Sequence, residues 1–172
     1  EAFIRSRGLD QPFVVQYFLY MGNLLRGDLG TSLVTGRAVT TDLATAVPAT
    51  VEIAIAAIVV SLAVSIVLGT LAAYRRGLVA DQVVRVVTLV GLSVPTFWLA
   101  LVSFYLFFLQ LRIAPGSGRI SPSITPPPRV TGFYTIDYLL NGDGVGFLDA
   151  AAHLALPVLV LSLVTIGLLT RF

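Results

Sequence analysis

The sequence predicts an all-α protein, a polytopic bundle with three membrane-crossing helices. Of its 172 residues 56% are hydrophobic and 12% charged, about half the charged share of a soluble domain. Mean hydropathy is +0.92. Three long stretches hold no charge at all. Each is apolar around its whole circumference, which a helix on the surface of a soluble domain is not.

Taken in chain order, residues 1–48 form the first expected part, an extracytoplasmic segment. Its one apolar stretch, 12–25, is 14 residues long, too short to cross a bilayer. Pro12 suits a helix start. The expectation is a helix lying at the outer interface, with Tyr17, Phe18 and Tyr20 at headgroup depth. Residues 49–172 form the second part, a transmembrane core. The uncharged run 53–73 has 21 residues and would extend about 31 Å as a helix, close to hydrocarbon thickness. Run 86–111 has 26 residues and run 154–170 has 17. In lipid the backbone must satisfy its own hydrogen bonds, so these runs are helices. The expected spans are about 50–73, 86–111 and 152–170.

Arginine placement orients them. The short link 74–85 carries Arg75, Arg76 and Arg85 against Asp81, and Arg171 follows the third span. Short basic loops stay in the cytoplasm. Residues 74–85 are therefore the inner loop and 112–149 the outer one. Within the outer loop, 114–128 is rich in Pro and Gly and reads as a semi-rigid loop. The stretch from Phe133 reads as a short helix or turn, ended by Asn141-Gly142 and Asp143-Gly144. The chain starts at Glu1 and ends at Phe172, directly after an apolar run, and is expected to be an internal piece of a longer protein.

Several function classes are excluded or weakened. A net charge of +2 implies no polyanion partner, and all eleven cations are Arg, which reads as codon bias. With no Cys there is no disulfide or thiolate metal site, and the single His is His153. No phosphate-binding Gly-Lys-Ser/Thr loop is present, nor a Gly-x-Ser-x-Gly or His-Glu-x-x-His pattern. No charge lies inside the three apolar runs, which weakens a proton-relay mechanism. No catalytic, metal or cofactor residue is assigned.

Candidate residues sit in four motifs. Arg26-Gly27-Asp28 spells an adhesion tripeptide, but it follows an apolar helix and precedes Gly30. It reads as a turn in which the glycines supply backbone freedom and Asp28 caps. Pro48-Ala49-Thr50-Val51-Glu52 reads as a helix start, with Glu52 near the positive end of the dipole; the other reading makes Glu52 a contact to substrate or a partner helix at the outer face. Ser93, Pro95, Phe97 and Trp98 lie in the second span. Pro95 removes a backbone hydrogen bond and kinks the helix, and Trp98 is either an interface anchor or a ring lining a path. His153 precedes the third span and reads as a helix-start or interfacial residue, with Pro157 a further kink candidate. Arg26, Asp28, Glu52 and His153 are the candidate outer-face contacts. Ser93, Pro95, Phe97, Trp98 and Pro157 are the candidate translocation pathway.

These stretches, "GLDQP" (8–12), Gln16-Tyr17, "RGDLGTS" (26–32), "PATVE" (48–52), "GLSVPTFW" (91–98) and "HLALP" (153–157), resemble in order and spacing the first permease subunit of bacterial dipeptide and oligopeptide ABC importers. The resemblance covers essentially the whole chain. It implies a piece of the larger binding-protein-dependent permease fold in the bacterial inner membrane. It places the "RGDLGTS" segment outside, between the family's first and second membrane helices. Glu1 then falls after the family's first helix, and Phe172 falls just before the Glu-Ala-Ala loop that docks on the ATPase.

The implied mechanism is alternating access. An extracytoplasmic binding protein delivers a peptide, two different permease subunits form the path, and two ATPase subunits bind ATP and Mg on their own chains. Relatives with this architecture import nickel chelates, glutathione or sugars. The competing classes are an intramembrane hydrolase, for which Ser61, Ser65, Ser93, Ser103 and Ser162 offer hydroxyls but no base pairs with them in the sequence, and a non-transporting membrane scaffold or insertase.

Overall fold

The computed structural model describes residues 11–74, 82, 86 and 93–169. They form helices and loops, with one isolated antiparallel bridge between Thr31 and Ala38 and no named strand among the described residues. The chain divides into two compact units, Glu1–Val47 and Pro48–Phe172.

In the first unit, α1 runs Phe13–Leu25. Pro12 stands before it with extended backbone, and its carbonyl accepts from the Val15 and Gln16 amides at 2.9 and 3.1 Å. No residue of α1 is buried. The "RGD" stretch is the turn that ends α1. The Arg26, Gly27 and Asp28 amides bond back to the Asn23 and Leu24 carbonyls. Gly27 and Gly30 have φ of 81° and 79°, values a side chain would strain. Asp28 Oδ1 accepts the Gly30 amide at 2.8 Å. A tight loop follows, in which Ser32 Oγ accepts the Val34 and Thr35 amides. Arg37 pairs with Asp42 at 2.9 Å.

Helix α2 runs Val39–Tyr74, longer at its start than the span expected at 50–73. Pro48 is therefore inside the helix, not in its first turn, because the Thr41 and Asp42 amides already bond to the Ala38 carbonyl. Helix α3 runs Thr96–Ser103 and passes directly into a π-helical segment, Phe104–Gln110. Pro95 has φ −58° and ψ 131°. The expected kink is thus a full break, because Pro95 cannot donate to the preceding turn and Val94 is pushed out of helical geometry. Residues 87–92 of that expected span, with Gly91 and Leu92, lie outside the described residues, as do 8–10, Arg75, Arg76, Asp81, Arg85 and Arg171.

The π segment widens where aromatic residues crowd. Phe104 stacks on Phe108 at 4.7 Å between centroids, and the Leu111 amide reaches the Leu106 carbonyl at 2.9 Å. The chain then reverses through Arg112, whose φ is 53°.

Helix α4, Tyr134–Leu140, is the short helix expected from Phe133. Helix α5 is Gly144–Leu169, and it begins earlier than the span expected at 152–170. Asp143 explains the early start: its Oδ1 accepts the Gly146 amide at 2.9 Å, an N-cap. His153 is consequently inside α5 and buried, not at a helix start. A Cβ on Gly146 would fall within van der Waals contact of the Tyr138 ring, so this glycine lets α4 lie against α5.

Two stretches, Val39–Thr70 and Gly144–Gly167, are long and apolar enough to cross a membrane, and Thr96–Gln110 is a shorter apolar helix. Within each, the 18-residue apolar window is only 17% and 39% buried, respectively. A soluble core helix would be covered; these present apolar surface outward, as a bundle in lipid does. Helices α2 and α5 meet through small residues. The Ser61 and Ser162 hydroxyls both donate to the Ala57 carbonyl, at 2.5 and 3.2 Å, and small side chains let two helices approach this closely.

Gly146→Ala should lower stability by about 2 kcal/mol through overpacking against Tyr138. The check is thermal denaturation of the detergent-purified full-length protein; a melting temperature equal to wild type would contradict the close packing of α4 on α5.

Candidate functional site

The segment 112–149 folds onto the helix ends through three carboxylates, and each is placed by local chain geometry. Glu52 follows Pro48 by one turn on the same face of α2. It is 7% exposed. Its Oε2 accepts from Arg119 Nη2 at 2.7 Å, and its Oε1 accepts from the Thr135 amide and hydroxyl at 2.8 and 2.6 Å. Arg119 also donates to the Gly132 carbonyl at 2.8 Å and lies over the Tyr134 ring at 3.6 Å from its centroid. Gly132, with φ of 84°, packs where a Cβ would meet Pro48 at 3.0 Å. Buried charge is costly unless paired and fully bonded; here both ions are bonded more than once.

Asp137 is the second carboxylate and is fully buried. It accepts from the Val130, Thr131 and Gly132 amides and the Thr131 hydroxyl, at 2.7–3.3 Å. Burial by itself pushes its pKa up. The Thr131 amide and hydroxyl, with the Gly132 and Val130 amides, outweigh that and hold it below the ordinary value of 3.8. The next residue, Tyr138, donates its hydroxyl to the Thr125 carbonyl at 2.8 Å. Burial, helped by the nearby Asp143 carboxylate, raises its pKa and keeps it a neutral donor.

Asp149 is the third. Its carboxylate accepts from the Ser121 amide and hydroxyl, both at 2.7 Å. His153 Nδ1 lies 3.5 Å from Asp149 Oδ2 and 2.8 Å from the Asp149 carbonyl. Serine, aspartate and histidine thus come together, but the Ser121 hydroxyl donates to the carboxylate and not to the imidazole. An activated nucleophile needs the second arrangement, so this cluster positions the loop.

A cavity of about 840 Å³ lies among α2, α3 with the following π segment, and α5. Phe97 and Pro157 line it together, with Ile53, Ala54 and Val160 among its walls. Its polar groups are the Thr50 and Thr96 hydroxyls, so it offers no charge to pair with a peptide terminus. Ser93, Pro95 and Trp98 are exposed and do not line it. Of the expected outer-face contacts, Glu52 and His153 are buried and committed to partners within this chain, while Arg26 and Asp28 are exposed in the first unit. Sequence reasoning missed Arg119, Ser121, Thr135, Asp137 and Asp149. Their signal was polarity: carboxylates, an arginine and hydroxyls in an otherwise Pro-rich or apolar outer stretch.

Two changes test these carboxylates. Glu52→Ala leaves Arg119 and the Thr135 amide without their acceptor, and should cost roughly 3–5 kcal/mol; trypsin should then cut faster after Arg119 and Arg129, and unchanged cleavage would rule the clamp out. The lowered pKa of Asp137 contributes stability that is complete above 3.8 and lost as pH falls through its own lower value. Asp137→Asn should therefore flatten the drop in melting temperature on acidification, which is read by comparing melts of the two proteins from neutral pH down to about pH 3.

Comparison with known proteins agrees with this architecture. Residues 65–172 match the family model described as binding-protein-dependent transport system inner membrane component. The chain is 45% identical over 164 residues to the probable D,D-dipeptide transport system permease protein DdpB of Escherichia coli K12, covering 95% of this chain and 48% of that one. It is 40% identical to the di/tripeptide transport system permease protein DppB of Pseudomonas aeruginosa, again over 95% of this chain and 48% of that one. With the dipeptide transport system permease protein DppB of Escherichia coli K12 the identity is 33%, over 95% and 49%. The chain spans about half the length of these curated relatives. A match of this extent, on helices that present apolar surface outward, means that the chain belongs to the binding-protein-dependent transport system inner membrane component family.

Proposed function

We propose that this chain is part of a permease subunit of an ABC importer that moves dipeptides and oligopeptides into the bacterial cell across the inner membrane, which it crosses several times. The observation that carries the reading is the 45% identity over 164 residues to a D,D-dipeptide permease, with di/tripeptide and dipeptide permeases among the other relatives. The chain is a transport subunit and no enzyme. ATP and Mg are bound and hydrolysed on two partner ATPase subunits. A second permease completes the path, and an extracytoplasmic binding protein delivers the peptide.

The cavity gives this reading a physical form. Its walls are apolar and come from three helical elements. Such a surface holds no peptide terminus tightly, which suits a path that must release its cargo. Charge recognition then falls to the binding protein, or to the second permease across the path. The break at Pro95 leaves α3 a separate rod whose Phe97 meets Pro157 at the cavity. Pro157 removes one intrahelical bond from α5 and Pro95 sets off the start of α3, so the walls bend where alternating access needs bending. Ser93, Pro95 and Trp98 shape the approach to this wall.

The test uses the full-length protein, co-expressed with the adjacent membrane and ATPase genes and purified through a tag on this chain. Co-purifying ATPase activity that rises with binding protein plus peptides supports the reading. Co-purification without a peptide response moves the cargo to nickel chelates, glutathione or sugars. Absence of an ATPase leaves a membrane scaffold. In the assembled complex, Trp98→Ala should change peptide uptake by about tenfold without loss of assembly, the order of a lost aromatic contact; wild-type uptake over a range of peptides would remove Trp98 from the path.

A further inference from the structure

The first unit holds a second cavity, of about 570 Å³, between α1 and the turn that follows it. Phe13, Tyr17 and Tyr20 line one side of it. Their spacing of four and three residues puts the three rings on one helix face. Tyr17 is steadied from behind by Phe18, edge-on at 5.6 Å. Asn23 and Asp28 line the other end, and Asp28 is the only charged residue among the described residues of the lining. Its place is fixed by chain geometry: the Asp28 amide bonds to the Asn23 carbonyl at 2.9 Å, and its Oδ1 takes the Gly30 amide at 2.8 Å. Among the described residues, no arginine lines the cavity.

Three aromatic rings and one carboxylate, with no cation among the described residues of the lining, are the chemistry of an ammonium site. Ring faces attract a cation through their quadrupole. The carboxylate and the Asn23 amide oxygen accept the hydrogen bonds that a primary ammonium donates. An anion would be repelled, and a purely apolar ligand would leave Asp28 desolvated at a cost.

We propose that this cavity binds the primary ammonium of a zwitterionic phospholipid headgroup, an ethanolamine, and so ties the first unit to the outer surface of the bilayer. The lipid is favoured as the source of the ammonium because no residue of α1 is buried. Phe13 is 81% and Phe18 68% exposed, an apolar helix surface of the kind that settles at headgroup depth. At that depth ethanolamine headgroups are the most concentrated ammonium. The same chemistry would accept the α-ammonium of a free dipeptide, and the experiment separates the two.

The full-length protein, purified in detergent, is titrated with phosphatidylethanolamine, phosphatidylglycerol or Ala-Ala and read by native mass spectrometry. Phosphatidylethanolamine should be retained about fivefold more than phosphatidylglycerol, in keeping with a cation–π and carboxylate site. Asp28→Asn keeps an oxygen for the Gly30 amide and removes only the charge; it should abolish that preference. Tyr17→Ala with Tyr20→Ala should do the same, whereas Tyr105→Ala, in the π segment, should leave it intact. Equal retention of the two lipids, or a preference that survives Asp28→Asn, overturns the proposal. So does Ala-Ala binding that depends on Asp28 while the lipid does not. None of these readouts requires transport, so a failed peptide-stimulated ATPase assay and a failed lipid titration are distinguishable.

Discussion

Glu52 sits where the apolar part of α2 begins, and its carboxylate is shared between Arg119 and Thr135. Those two partners are distant from it in sequence, and they belong to the loop before α4 and the start of α4. An unpaired carboxylate buried at that position would be expensive. The helix therefore demands a cation and amide donors, and the loop is shaped to supply them. Gly132 lets the backbone reach Pro48, Asp137 gathers the amides of 130–132, and Asp149 fixes Ser121. A stretch that reads as a Pro-rich connector is held at both of its ends by carboxylates.

This arrangement separates two kinds of surface. The polar network joins the segment 119–137 to Glu52 and Asp149. Beyond it, α2 and α5 touch through alanine and serine, with the hydroxyls turned onto a main-chain carbonyl. Their remaining surface is Val, Ile and Leu, largely uncovered. The cavity lined by Phe97 and Pro157 belongs to the apolar half, out of reach of the charges above it.

Much of the fold was legible beforehand because its cause is local. Charge-free runs must be helical in lipid, and the Arg26–Gly30 turn, α1 and α4 follow from Gly, Pro and Asn-Gly signals. The break at Pro95 follows from a missing amide. Helix starts were less legible. Pro48 reads as a beginning, yet the helix nucleates earlier on the Ala38 carbonyl. Asp143-Gly144 reads as the end of one element, yet the same aspartate caps the next. A proline or a capping residue is compatible with both positions, and only the donors actually available decide between them.

By itself the sequence determined the class of the protein, its helical segments, the turn at Arg26-Gly27-Asp28 and the set of motifs that its family shares. Composition and short-range spacing suffice for these, since bilayer thickness and backbone hydrogen bonding leave few alternatives. Only the tertiary structure decided what the polar residues do. It turned Glu52 and His153 from outer-face contacts into buried, committed groups. It brought Phe97 and Pro157 to one cavity and left Trp98, Ser93 and Pro95 outside its lining. The physical reason is that a buried charge takes its role from whichever donors the fold brings within about 3 Å, and the donors to Glu52 lie far along the chain, where no local pattern points to them.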